Sequence, residues 1–188
     1  GPFDRIWIQP AAGDAGGALG AAQFVVHNLL GRPRQVLPSD TQRGSLLGPR
    51  YESNDVRAFL DTQNVVYEDC ASEEQLADRV AELIEQENVI GWFQGRMEFG
   101  PRALGARSIL GDPRNKDTQS VMNLKIKFRE SFRPFAPSVL RERCADYFEL
   151  ACESPYMLLI APVREERRIP MDTARFRGGD DDMIAVLH

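Results

Sequence analysis

Cysteine is scarce here, histidine scarcer, and lysine is almost wholly displaced by arginine. The three cysteines, Cys70, Cys144 and Cys152, share no C-x-x-C spacing, and an odd number does not build a disulfide framework. They read as reduced and structural, so a cytoplasmic setting is expected. The two histidines, His27 and His188, stand far apart and supply no paired metal-binding spacing. No run approaches the roughly 18 apolar residues that a membrane helix needs, and no amino-terminal secretory pattern opens the chain. No membrane partner is therefore expected.

What is present is 43% hydrophobic content in 188 residues, enough for one ordinary domain with a core. Charged residues make up 27%, which speaks against global disorder. The net charge of −5 speaks against general nucleic-acid binding, which depends on neutralising phosphates. Its distribution says more than its sum. Lysine occurs only at Lys116, Lys125 and Lys127, against twenty arginines, and eleven of these cations fall between Arg96 and Arg143. The planar fork of arginine suits bidentate grips on phosphate or carboxylate. The acids gather elsewhere, at 73–87 and 180–182.

Along the chain, residues 6–8 read as a short strand, followed by a glycine-rich turn at 10–22 and an apolar helical stretch at 24–30 that Gly31 and Pro33 stop. One strand and one helix do not bury a core, so a larger upstream domain is expected. Residues 32–52 read as a connector rich in proline and glycine. A short helix follows Ser53 as its cap, with Val56, Phe59 and Leu60 as its apolar face. Ser72 and Gln75 fit a capping box, and Leu76, Val80, Leu83 and Ile84 behind it recur at helical spacing. Residues 89–93 read as a buried strand, 117–125 as a helix, 137–140 as a strand and 142–148 as a helix. Residues 156–163 read as a strong strand, 164–182 as polar loop, and 183–187 as a last strand just before the end, which suggests that the domain is truncated there.

Two stretches carry candidate chemistry. In 95–109, Gly100, Pro101 and Gly105 permit a tight backbone course from which Arg96, Arg102 and Arg107 project, with the Ser108 hydroxyl beside them. Two readings stand: a solvated basic loop, or a backbone shaped around an anion. In 123–137, extended geometry would place Lys127, Arg129, Ser131 and Arg133 on one face and Phe128 and Phe132 on the other. Like charges on one face are costly unless an anion meets them. The alternative is an edge strand with its basic face in water.

The run GWFQGRMEFGPRALGARSI at 91–109, together with KFRESFRPFAP at 127–137, closely resembles the carbamoyltransferase family, which includes the nodulation protein NodU and antibiotic O-carbamoyltransferases. The resemblance covers most of residues 6–163. It implies an α/β fold: a YrdC-like open twisted sheet with flanking helices at 53–188, preceded by a short remnant of an upstream ASKHA-type domain at 1–31. It also implies that carbamoyl phosphate and ATP are bound and joined into carbamoyl-adenylate, whose carbamoyl group passes to a hydroxyl-bearing small-molecule acceptor. By motif, Arg102, Lys127 and Arg133 take the catalytic roles, and Arg107, Ser108 and Arg129 join them in substrate binding.

The glycine-rich segment 10–20 resembles the last nucleotide and metal motif of the ASKHA domain, whose aspartate is an iron ligand and matches Asp14. The partner histidines of that site are missing, so iron is expected only in the full-length enzyme and none in this chain. A helix N-cap aspartate is the plainer reading of Asp14. Two functions from different classes therefore stand: the transferase, and a non-catalytic nucleotide- or RNA-binding module. The acidic net charge disfavours RNA.

Overall fold

In a computed structural model, residues 7–169 are described, and they form a mixed α/β chain in two compact units. The first unit holds residues 7–68, 92–108 and 154–160; the second holds 69–91, 109–153 and 161–169. The strand expected at 183–187 lies outside the described residues.

In the first unit, helix α1 (Asp14–Phe24) runs into a wider π-type turn at Val25–Leu29, and Gly31 closes the run at a positive φ of 62°. Its start is set by Gly13, not by Asp14. The aspartate is the first helical residue, where its charge suits the positive end of the helix. The strand expected at 6–8 does not form at its described residues, Trp7 and Ile8, which lie open to water. The connector contains one 3₁₀ turn, Arg43–Ser45. Helix α2 (Ser53–Thr62) is capped one residue earlier than expected, because the Glu52 N–H donates to Asp55 Oδ2 at 2.9 Å. Val56 and Leu60 are half-buried, whereas Phe59 is exposed and leaves the expected apolar face.

In the second unit, helix α3 (Glu73–Glu85) starts where its sequence says. Ser72 Oγ accepts from the Gln75 N–H at 3.1 Å, and Gln75 Oε1 accepts from the Ala71 N–H at 2.6 Å, so the reciprocal arm of the cap reaches one residue further back than in a standard box. Val80, Leu83 and Ile84 are half-buried. Helix α4 (Thr118–Val121) continues into a π-type turn, Met122–Ile126, and helix α5 (Cys144–Tyr147) follows a 3₁₀ turn at Arg141–Arg143.

The sheet has two strands among the described residues, β1 (Ile90–Phe93) paired with β2 (Arg107–Leu110). β1 alternates half-buried and exposed residues instead of being wholly buried. The strands expected at 137–140 and 156–163 do not form; of these residues only Val163 makes a single bridge, to Phe148. An apolar run supplies strand propensity but not the neighbouring edge that a ladder requires. With so small a sheet the described core is small too. Among the described residues the buried apolar ones are Pro10, Ala106 and Met122, joined by the buried polar residues Ser45, Glu98, Asp112 and Asn123. Ala106, Ser45 and Glu98 belong to the first unit, and Met122, Asn123 and Asp112 to the second.

Candidate functional site

Glu98 organises the glycine–arginine loop. Its side chain is only 6% exposed, and one oxygen, Oε1, accepts from the N–H groups of Leu104 at 2.7 Å, Ala106 at 2.7 Å and Arg107 at 3.3 Å. Burial pushes the carboxyl up, but these amides outweigh it and hold Glu98 below the usual carboxylate range. The connector grips the same loop from its other side. Met97 N–H donates to Pro49 O at 2.9 Å, Gly48 N–H to Met97 O at 2.9 Å, and Phe99 N–H to Ser45 O at 2.6 Å. Gly100 sits at a φ of 118° with its α-carbon turned toward Ala11, and Gly105 sits at 104°.

The three arginines of this loop separate on that scaffold. Arg107 is committed internally: Nη1 donates to Gln94 O at 3.0 Å and to Ala106 O at 2.8 Å, Nη2 donates to Gly95 O at 3.1 Å, and the guanidinium lies 3.5 Å from the centre of the Phe93 ring. Arg96 Nη1 donates to Gly48 O at 2.9 Å. Ser108 Oγ accepts from the Gly105 N–H at 3.0 Å. Arg102 differs from them. It is exposed, no partner engages its guanidinium among the described residues, and it lines a small hollow with Ala11, Ser45, Phe99, Pro101, Leu104 and Tyr156. Tyr156 is itself placed by its hydroxyl, which donates to Asp40 Oδ2 at 3.1 Å.

The second basic stretch is not extended. Lys127 ends the π-type turn, Phe128 takes a positive φ of 49°, and residues 127–133 fold back over Asn123. The common face expected for Lys127, Arg129, Ser131 and Arg133 is therefore not made; the expected partition of rings and cations belongs to a strand, and the backbone turns instead. Asn123 is 0% exposed, and Nδ2 donates to Ser131 O at 3.0 Å and to Arg133 O at 2.8 Å. Its Oδ1 accepts from Arg129 Nε at 2.6 Å, and that guanidinium lies 4.8 Å from the centre of the Phe135 ring. Arg133 Nε meets Glu130 Oε2 at 2.7 Å in an exposed pair, which lowers the Glu130 carboxyl below its usual range. The Lys127 ammonium is exposed and engages no partner among the described residues.

Sequence reasoning named the arginines and passed over the side chains that place them. Glu98 and Asn123 carried a signal nonetheless. Glu98 is an acid inside a glycine-rich basic loop, and Asn123 is a short amide inside a helical apolar run, where such residues are unfavourable unless their hydrogen bonds are used. Asp112 was missed as well. It is buried, and Arg114 grips it through Nε at 2.9 Å and Nη2 at 2.7 Å, which lowers its carboxyl below the usual range. Asp14 is exposed at the start of α1, and the described residues hold no group of three or more His, Cys, Asp or Glu able to bind a metal. A single carboxylate does not make an iron site. No helix among the described residues is long and apolar enough to cross a membrane.

Residues 81–188 match the family described as carbamoyltransferase C-terminus. The chain is 60% identical over 173 residues to an uncharacterized protein of Synechocystis, covering 91% of this chain and 28% of that protein. It is 44% identical over 176 residues to the nodulation protein NolO of Bradyrhizobium diazoefficiens, covering 89% and 30% respectively. It is 31% identical over 168 residues to the 3'-hydroxymethylcephem-O-carbamoyltransferase of Amycolatopsis lactamdurans, covering 88% and 29%. The chain thus spans less than a third of the length of these relatives.

Proposed function

Because the chain belongs to the carbamoyltransferase C-terminus family, we propose that it is the carboxy-terminal part of an O-carbamoyltransferase and that it binds carbamoyl phosphate and ATP. On this reading, residues 53–188 are the YrdC-like part and residues 1–31 close an ASKHA-type domain. Water hydrolyses carbamoyl phosphate to inorganic phosphate and carbamate. A carbamate oxygen then attacks the α-phosphorus of ATP, forming the new P–O bond of carbamoyl-adenylate as pyrophosphate leaves. The carbamoyl group then passes to a hydroxyl acceptor. The cations stabilise charge as it builds on phosphate oxygens, and the carbamate oxygen needs no separate base.

The observation that carries this reading is Arg102, a guanidinium without a partner among the described residues, on a loop whose backbone is tied on both sides. A solvated basic loop needs no buried carboxylate to shape it. Among the described residues Lys127 is equally unengaged, and the Arg133 guanidinium is held by an exposed pair with Glu130, whose side chains are 51% and 54% exposed. Such pairs contribute little and yield readily to a more highly charged anion. Arg107 and Arg129 act from behind: Arg107 gives Nη1 and Nη2 to carbonyls of its own loop, and Arg129 gives Nε to Asn123.

Calorimetric titration of carbamoyl phosphate tests this. Arg102→Ala, Lys127→Ala and Arg133→Ala should each weaken binding by about 1.5–3 kcal/mol, as loss of a hydrogen bond to a charged group does. Unchanged affinity in all three, with the unaltered chain binding, would remove the assignment.

A further inference from the structure

We propose that Glu98 is the positioning residue of the arginine loop: its buried carboxylate latches the backbone on either side of Arg102 and so sets the affinity of that guanidinium for phosphate oxygens. The proposal rests on Arg102 being an anion-binding residue and goes beyond it by naming what holds the arginine in place.

The geometry is a closed ring. Its donors, Leu104, Ala106 and Arg107, all follow Arg102, whereas the acceptor precedes it, so Arg102 rides on the arc between them. The start of the arc is fixed independently, because Met97 and Phe99, the neighbours of Glu98, donate their N–H groups to the connector. Glu98 lies four residues from Arg102 and would be an obvious salt-bridge partner. It bonds amides instead, so its charge is consumed by the backbone and the guanidinium stays available.

A carboxylate suits this task better than a neutral group. It accepts without donating, so several N–H groups can converge on it, and bonds to an ionised acceptor are the strong ones. A glutamine would offer one carbonyl oxygen and a competing NH₂. The consequence for binding is preorganisation. An exposed arginine already loses rotamer freedom when it grips a ligand, and a loop that had also to order itself would weaken the grip further. Gly100 and Gly105, both at positive φ, are the positions where an unlatched loop would gain most freedom.

The test combines amide exchange with a double-variant cycle, using carbamoyl phosphate as the probe. Glu98→Ala should remove exchange protection at the Leu104, Ala106 and Arg107 amides. It should also weaken carbamoyl phosphate binding about tenfold, and the Glu98→Ala/Arg102→Ala chain should bind no more weakly than Arg102→Ala alone. Glu98→Gln, which keeps one acceptor and serves if alanine prevents folding, should restore part of the protection and part of the affinity together. Two results overturn the proposal: amides that stay protected without the carboxylate, or losses from the two substitutions that multiply, which would place the effect of Glu98 outside Arg102. If the unaltered chain binds no carbamoyl phosphate, the anion reading falls and with it the link to affinity, while the exchange data still decide whether Glu98 is the latch.

Discussion

Carboxylates in this chain are lowered in two ways, and the difference has consequences at the residue scale. Asp112 and Glu130 are held down first by an arginine side chain, whereas Glu98 is held down by backbone amides against its own burial. An arginine partner can swing away to meet a ligand; an amide cannot. Because the folded Glu98 titrates below the ordinary value near 4.5, its stabilising contribution is complete above that value and is lost as the pH falls through the lower folded one. Glu98→Gln should therefore be less stable than the unaltered chain at neutral pH by about 1–3 kcal/mol. That gap should narrow as the pH falls below the ordinary value near 4.5 and through the lower folded one, where the Glu98 carboxyl also becomes neutral. Thermal unfolding of both across pH 3–7 gives the answer; a gap independent of pH would mean that the ionised carboxylate contributes nothing to the fold.

At the scale of elements, the same residue type carries opposite demands. Gly17 lies within α1, and a β-carbon built on it meets nothing within 4 Å. Gly100 sits at a φ of 118°, and its β-carbon would come 2.5 Å from Ala11 Cβ. Alanine at Gly17 should stabilise by about 0.5–1 kcal/mol, since glycine is a poor helix former. Alanine at Gly100 should cost about 1–3 kcal/mol through backbone strain and overlap. Denaturant unfolding of the two variants should shift in opposite directions, and a shared direction would contradict the loop geometry.

For the whole molecule, the relevant fact is coverage: the chain spans less than a third of its relatives, and Asp14 stands without companion ligands among the described residues. On the proposed reading, carbamoyl-adenylate formed here would meet water before an acceptor, because a complete enzyme shields such an intermediate. The chain alone should cleave ATP to AMP and pyrophosphate weakly at most, in a carbamoyl phosphate-dependent way, and should yield no carbamoylated product. It should also purify without stoichiometric iron. Mass spectrometry with a panel of hydroxyl acceptors is the check, and a carbamoylated acceptor would place the second active site within these 188 residues.

The sequence by itself determined what depends on near neighbours. The Ser72 cap, the helical spacing behind it and the run of 117–125 were legible because a helix closes its hydrogen bonds within a few residues. The family was legible too, in two short motifs. Tertiary structure decided whatever needed a distant partner. Residues 156–163 have strand propensity but no edge to pair with along their length. Residues 127–133 alternate like a strand, yet Asn123 offers their carbonyls and the Arg129 side chain a buried partner, and the chain turns over it. Of two arginines that the motif put in substrate binding, Arg107 finds three carbonyls and a ring, while Arg102 finds no partner among the described residues. Composition fixes how many donors a chain has; only the folded backbone fixes which of them are left for a ligand.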